Sequence, residues 1–380
     1  MSEKTFVLAP DSFKESMSAK EVCIAMEKGL RKVYPEAVYV HVPMADGGEG
    51  TVQSLVDASG GQIYTKKVTG PLGQTLTAQY GIMGDGITAV IEMASASGIQ
   101  LIEQADRNPL ITTTYGTGEL IKECLDRGIR SIIIGIGGSA TNDGGTGMAE
   151  ALGAKFLDAA GKALPRGGGS LDRLASMDTS GLDERLQQVQ LIVACDVTNP
   201  LCGQRGASVV FGPQKGATPE QVQQLDANLA HYADVVKAQL GKDVRDLPGA
   251  GAAGGLGAGL MIFTHAVLQR GIEIVIEHTG LKQKLEGADL VFTGEGGIDF
   301  QTKFGKTPYG VAATAKASGK KVIALAGYIG EGIDTLYAEG FDAIFSIIPG
   351  AGELKKLLKD GPANVERTCE NIARVLKLSE

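Results

Sequence analysis

Aspartate and glycine recur together in short strings of this sequence, a pairing suited to holding phosphate and to moving a proton beside it. One string is Ala9-Pro10-Asp11-Ser12-Phe13-Lys14-Glu15-Ser16, a second is Ala45-Asp46-Gly47-Gly48-Glu49-Gly50-Thr51, and a third is Thr293-Gly294-Glu295-Gly296-Gly297-Ile298-Asp299. A fourth runs Gly135-Ile136-Gly137-Gly138-Ser139-Ala140-Thr141-Asn142-Asp143-Gly144-Gly145. Small residues there let backbone N–H groups approach phosphate oxygens, and a helix starting after the loop would add a favourable dipole. The fifth is Cys195-Asp196-Val197-Thr198-Asn199-Pro200, followed by Phe211-Gly212-Pro213-Gln214-Lys215-Gly216. Asp196 and Asn199 are ligand types that suit Mg2+, which keeps several waters and takes one or two carboxylates. An ordinary Asn-Pro turn explains the same residues equally well.

Other chemistries are disfavoured. The four histidines, His41, His231, His265 and His278, fall outside every string, so neither a Ser-His-Asp triad nor a zinc site is visible. No G-x-x-x-x-G-K-[ST] loop is present: Gly305-Lys306-Thr307 matches its end, but Phe300 stands where its first glycine belongs. Gly249-Ala250-Gly251-Ala252-Ala253-Gly254 fits G-x-G-x-x-G, yet Asp246-Leu247-Pro248 precedes it rather than a strand. It reads as a loop entering a helix of small residues. Chemistry built on Asp, Lys and Gly suits phosphoryl transfer, where a protein mainly positions groups and neutralises charge.

The elements that must carry these strings follow from hydrophobic periodicity. Thr5–Pro10 and Ala37–Pro43 are short apolar runs read as strands. Ser18 to Glu21 forms a capping box ahead of apolar positions at helical spacing, and a second helix opens after Gly50. The same rhythm returns near the C-terminus. Leu290–Gly294, Val322–Gly327 and Ala343–Pro349 read as strands, Pro308–Ser318 and Asn364–Leu376 as helices. Two strands at the front and three at the back make a five-stranded, doubly wound parallel sheet. The expected fold is α/β, with one discontinuous domain (1–65 plus 287–380) interrupted by a mixed α/β domain (66–286), and an active site in the cleft between them. Within the insert, Leu76–Met83 and Thr88–Met93 flank a Gly84-Asp85-Gly86 hairpin turn, and Ser131–Ile136 and Leu191–Cys195 read as buried strands. Leu120–Gly128 reads as a helix, and Ala154–Leu157 with its following turn as another hairpin.

Composition narrows the partners. The chain has 380 residues, 43% hydrophobic and 21% charged, enough for packed cores. Its net charge of −8 and the lack of a basic, aromatic-interleaved stripe disfavour nucleic acid. Five cysteines without a C-x-x-C pair, no secretory h-region and no membrane-length apolar run give a cytoplasmic expectation with no membrane partner.

Taken in order, APDSFKESMSA, ADGGEGT, GIGGSATNDGG, ACDVTNPL, FGPQKGA, GAGAAGG and TGEGGID resemble the bacterial-type glycerate kinase family across nearly the whole chain. The resemblance implies phosphorylation of D-glycerate by ATP, to 2-phosphoglycerate, and a two-domain fold with a flavodoxin-like part. The family's usual arginine after Gly-Glu-Gly is replaced by Gly297, with Lys303 or Lys306 as possible substitutes. On this footing the expected roles are as follows. Asp196 is the base, with Asp46 and Lys14 also catalytic, Lys14 together with the helix start at Ser16–Ser18 binding an anionic group. Gly137, Gly138, Ser139, Thr141 and Asn142 cradle ATP phosphates, with Lys215 neutralising charge. Asp11, Ser12, Gly47, Gly48, Glu49, Glu295, Asp299 and Lys306 bind substrate, and Asp196 with Asn199 holds Mg2+. Alternatives are a kinase of another hydroxy acid, formation of 3-phosphoglycerate, or a carboxylate-binding protein without turnover. Oligomeric state is left open.

Overall fold

The computed structural model describes residues 4–378. Contacts divide the chain into two compact units. The first comprises Met1–Asp46, Gln53–Gly60 and Ile272–Glu380; the second comprises Gly47–Val52 and Gly61–Gly271.

The first unit holds a five-stranded, wholly parallel sheet. Across it the order is Ala343–Ser346, Val322–Ile329, Leu290–Ile298, Thr5–Leu8, Val38–His41. Numbering these strands by their place in the chain gives the order 2-1-3-4-5, so the direction of winding reverses between Thr5–Leu8 and Leu290–Ile298. Phe6, Leu8, Phe292 and Leu325 lie in the core of the sheet, packed with Val22, Met26 and Leu30 from the helix Ala19–Arg31 and Val365, Cys369 and Ile372 from the helix Gly361–Lys377. Each such side chain, fully buried, contributes roughly 1.5–3 kcal/mol. The capping box at Ser18 is present: its hydroxyl accepts from the Glu21 N–H while the Glu21 carboxylate accepts from the Ser18 N–H.

The second unit holds a six-stranded mixed sheet in the order Val267–Gln269, Gln190–Ala194, Ser131–Gly135, Thr88–Glu92, Thr75–Ile82, Gln62–Thr69. The first four strands run parallel; the last two extend the sheet as antiparallel hairpins. The Gly84–Gly86 hairpin forms as expected. The turn after Leu157 closes with a single bridge to Ala163, and the ladder partner of Lys155–Leu157 is instead Ser176–Asp178. The 22-residue helix Pro219–Leu240 and the strand Gln62–Thr69 have no counterpart among the elements expected from periodicity. The strand's Gln-Ile-Tyr-Thr-Lys-Lys-Val-Thr leaves alternation weak, with Val68 its one buried residue. The helix carries two capping signals, Thr218 and Pro219, and a left-handed Gly241 at its end. Among the described residues no helix is long and apolar enough to cross a membrane.

Candidate active site

In the first unit the loops after Thr5–Leu8 and Val38–His41 run side by side, tied by Val42 N–H to Leu8 O at 2.8 Å and Met44 N–H to Pro10 O at 2.9 Å. This sets Asp46 near Asp11, at the carboxyl edge of the sheet and at its winding reversal, where open α/β sheets bind ligands. The Asp11 N–H donates to Gly294 O at 2.8 Å, which fixes that loop against the third string. The Asp11 carboxylate accepts from the Ser12 N–H at 2.6 Å and from the Thr307 hydroxyl. Burial pushes Asp11 up to about 6; the Thr307 hydrogen bond opposes this and the charge of Asp46 adds to it.

The third string is not the loop after a strand that its glycines suggest. Leu290–Ile298 continues as strand through Glu295 and Gly297, because Gly297 pairs with Tyr328 and Ile298 with Ile329. Glu295 therefore projects from the strand itself. Its Oε1 accepts from Thr302 Oγ1 at 3.2 Å and pairs with Lys306 Nζ at 3.4 Å. Burial pushes Glu295 up to about 7, with Lys306 opposing and Asp11 reinforcing. Asp299 begins a short 3-10 turn, its carboxylate accepting from Gln301 N–H. Thr302 and Thr307, which hydrogen-bond Glu295 and Asp11, are partners that sequence patterns miss; the only trace is the Gly-Lys-Thr fragment that ends in Thr307. Lys14 is exposed, and Ser16 is spent on Leu358 O at 2.5 Å. The helix start at Ser18 is already satisfied by Glu21, so an anion there would compete with that carboxylate.

Two carboxyls raised by burial on one sheet edge are characteristic of sites that do chemistry rather than of stabilising contacts. Glu295 binds its proton more tightly folded than unfolded, so stability is lost as pH rises from about 4.5 through about 7. We expect Glu295→Gln to be more stable than the parent at pH 8 by up to about 3 kcal/mol and no more stable at pH 4. Urea unfolding at the two pH values measures this, and a loss of stability at pH 8 would contradict it.

Gly297 leaves room for a side chain: a Cβ there would meet nothing nearer than Tyr328 Cδ1 at 3.8 Å. We expect Gly297→Arg to fold normally and to lower the KM for an anionic substrate several-fold, about 1 kcal/mol. Steady-state kinetics with substrate varied tests this; an unchanged KM would leave arginine without a role at this position.

In the second unit the carboxyl ends of the parallel strands gather the remaining strings. The backbone of Gly47 is wedged there: a Cβ would come within 2.7 Å of Gly271 Cα and 2.9 Å of Ala194 Cβ, so only glycine fits. Gly48 accepts from the Thr51 hydroxyl at 2.8 Å. Glu92, at the end of its strand, accepts from Val52 N–H at 3.0 Å; burial raises its pKa, and the neighbouring charge of exposed Glu49 adds to that. Asp196 is exposed just beyond Gln190–Ala194 and accepts from Gly271 N–H at 3.2 Å. The Asn199 amide donates to Arg205 O at 2.8 Å, leaving its carbonyl end to accept or ligate.

The fourth string leaves Ser131–Gly135 at this same edge. Gly137 and Gly138 are exposed, and among the described residues Gly137, Gly138 and Ser139 donate no backbone N–H to another backbone group. Lys215 lies behind them, 2% exposed, donating to Ser139 Oγ at 2.7 Å and Thr141 O at 2.6 Å. Burial pushes it down to about 7, with only the charge of Asp143 opposing. Thr141 Oγ1 and Asn142 Oδ1 are buried without a partner, while Asn142 Nδ2 donates to Ser208 Oγ at 2.8 Å. The expected helix dipole is not available to a ligand. The following helix, Thr146–Ala151, has six residues, and buried Asp143 already accepts from Gly145 and Gly147 N–H as well as from Thr114. Asp143 and Thr114 are thus structural, a role the sequence does not reveal.

Open N–H groups, a buried amine and the unpaired Thr141 hydroxyl, all able to donate, fit a phosphate-bearing ligand at this loop; the Asn142 carbonyl, an acceptor only, does not add to that fit. Among the described residues no three His, Cys, Asp or Glu side chains cluster to hold a metal by themselves. That donor set suits Mg2+ arriving with phosphate, since one or two carboxylates then suffice.

The chain is similar along its length to known proteins. The profile of the glycerate kinase family matches residues 6–377. A glycerate kinase of Haemophilus influenzae is 55% identical over 371 residues, covering 98% of each chain. A glycerate 2-kinase of Escherichia coli K12 is 52% identical over 372 residues, again 98% of each. A crystal structure of a candidate glycerate kinase 2 from Salmonella typhimurium LT2 superposes with a TM-score of 0.92 at 53% identity, covering 100% of this chain and 99% of that one. Its sequence strings, the sheets that position them and these matches along its length agree: the chain belongs to the glycerate kinase family.

Proposed function

We propose that this enzyme transfers the γ-phosphoryl group of ATP to D-glycerate, giving 2-phospho-D-glycerate. The observation that carries the reading is the loop Gly137–Asn142 in a chain of this family: open N–H groups with a buried amine behind them, a place for donor phosphates. The 2-position follows the name of the Escherichia coli relative. When bound, Mg2+ would neutralise charge on the donor phosphates; Asp196 and the Asn199 carbonyl are the residues suited to hold it. Asp196 accepts the proton of the substrate's 2-hydroxyl as that oxygen gains the phosphoryl group and the bond to ADP breaks. On the first unit Lys306, paired with Glu295, is a cation suited to an anionic group, and Asp11, Ser12, Asp46 and Asp299 lie at the same sheet edge. Lys14 supplies a further cation there. Gly47, Gly48 and Glu49 line the edge of the second unit.

The 2-1-3-4-5 strand order supports a flavodoxin-like first unit. Free cysteines throughout and the use of ATP favour the cytoplasm. The reading is tested by ADP release from Mg-ATP with a panel of hydroxy acids. ADP formed only with D-glycerate supports it; preference for another acid makes that acid the substrate; no acid-dependent ADP leaves a binding protein.

A further inference from the structure

We propose that Lys215 takes up a proton when nucleotide phosphate binds the loop Gly137–Asn142, so that donor binding by this enzyme is proton-coupled. The proposal rests on the reading above that this loop holds the donor phosphates. Lys215 closes the 3-10 turn Pro213–Lys215 and reaches the loop from behind. Its amine touches a hydroxyl and a carbonyl, Ser139 Oγ and Thr141 O. Among the described residues no carboxylate oxygen lies within ion-pair distance of it. The charged or titratable groups around it are few. Asp143 on the loop is buried, and its carboxylate is committed to Thr114 and to the Gly145 and Gly147 N–H groups. Arg107, beside the 3-10 turn, donates to Gln214 O at 3.5 Å. Tyr232, on Pro219–Leu240, is fully buried within reach of the Asp143 charge, and its hydroxyl has no partner.

A buried ammonium with no counterion is costly, so burial drives the side chain toward the neutral amine near pH 7. A phosphate seated on the N–H groups of Gly137–Ser139 places negative charge one residue from its hydrogen-bond partner. An opposite charge at such range raises an amine's pKa by about 1–3 units. The proton that comes from solvent ends on Nζ, and no other bond changes. Ser139 conveys the coupling. Its oxygen accepts from the ammonium, so its own hydrogen is left to donate outward, toward the phosphate. Below about pH 6 Lys215 is already charged and binding takes up nothing; above neutrality uptake approaches one proton. Nucleotide affinity then falls with rising pH, by up to about tenfold per unit.

Calorimetric titration of the full chain with Mg2+ and β,γ-imido-ATP, without glycerate, tests this. Run at pH 6 and pH 8 in two buffers of different ionisation enthalpy, it counts protons directly. Expected for the parent, with the amine rising by about 1–3 units from about 7, is about 0.4–0.9 proton taken up at pH 8 and about 0.1 at pH 6. Lys215→Arg, always charged, should bind with uptake at pH 8 abolished, and Lys215→Met should lose uptake and bind at least about tenfold more weakly. Equal binding heats in both buffers at pH 8 for the parent, or undiminished uptake in Lys215→Arg, would overturn the proposal while leaving the donor site standing. An absence of any binding heat in the parent would instead overturn the donor-site reading and the proposal with it.

Discussion

Replacing Asp196 by asparagine is expected to lower kcat by about 10²–10⁴-fold, the range for losing a positioned general base. The substitution is nearly isosteric, and the amide oxygen can still accept from Gly271 N–H. Asp196 is also exposed, so unfolding should move by no more than about 0.5 kcal/mol. The two measurements together are decisive. A large fall in kcat with an unchanged melting curve places the carboxylate in the chemistry. Turnover near that of the parent would remove Asp196 from it and turn attention to Asp11 and Glu295, two carboxyls that burial raises at the edge of the parallel sheet.

Gly254→Ala should act through the fold, and the loss should be severe. Gly254 has φ of +68°, a conformation that side chains resist. A Cβ there would lie 1.9 Å from Thr141 O and 2.6 Å from Asn142 Cα, both backbone atoms of the loop Gly137–Asn142. The loop also depends on this residue directly, since Gly144 N–H donates to Gly254 O at 3.0 Å. We expect a loss of about 3–5 kcal/mol, as for other overpacked and strained core positions, and a collapse of nucleotide binding. Gly203→Ala is the matched control. It too has positive φ, +90°, but a Cβ would meet nothing within 4 Å, so about 1 kcal/mol is expected. Thermal unfolding of both variants checks the comparison; equal losses would show that the close approach to Thr141 is not what demands glycine at 254.

Much of this architecture is legible in the amino-acid sequence. Short apolar runs mark all five strands of the parallel sheet. The three central strands are largely buried and so read as continuous hydrophobic segments. The edge strands Val38–His41 and Ala343–Ser346, exposed or half-buried, are legible from their β-branched and aromatic residues. The capping box at Ser18 and Glu21 is legible because its hydrogen bonds are local. The small-residue string at Gly249–Gly254 reads correctly as a loop entering a helix: Ala253, Gly254 and Gly255 all have left-handed backbone before Leu256. What sequence does not supply is partnership across long separations. Nothing in the third string says that Glu295 stays in a strand, since that depends on pairing with Tyr328. Thr307 caps Asp11 across 296 positions of chain. By residue type Lys215 reads as a cation facing phosphate, whereas its contacts are with Ser139 and Thr141, 76 and 74 residues away. The family resemblance supplies glycerate; residue patterns alone reach phosphoryl transfer and no further.

Transfer of phosphate from ATP to the 2-hydroxyl of glycerate is tested most directly by incubating the enzyme with D-glycerate, Mg2+ and ATP and resolving the product by proton–phosphorus correlation NMR. Phosphorus coupled to the proton on C2 is the predicted result. Phosphorus coupled instead to the C3 methylene, or no phosphoester of glycerate at all, would contradict it.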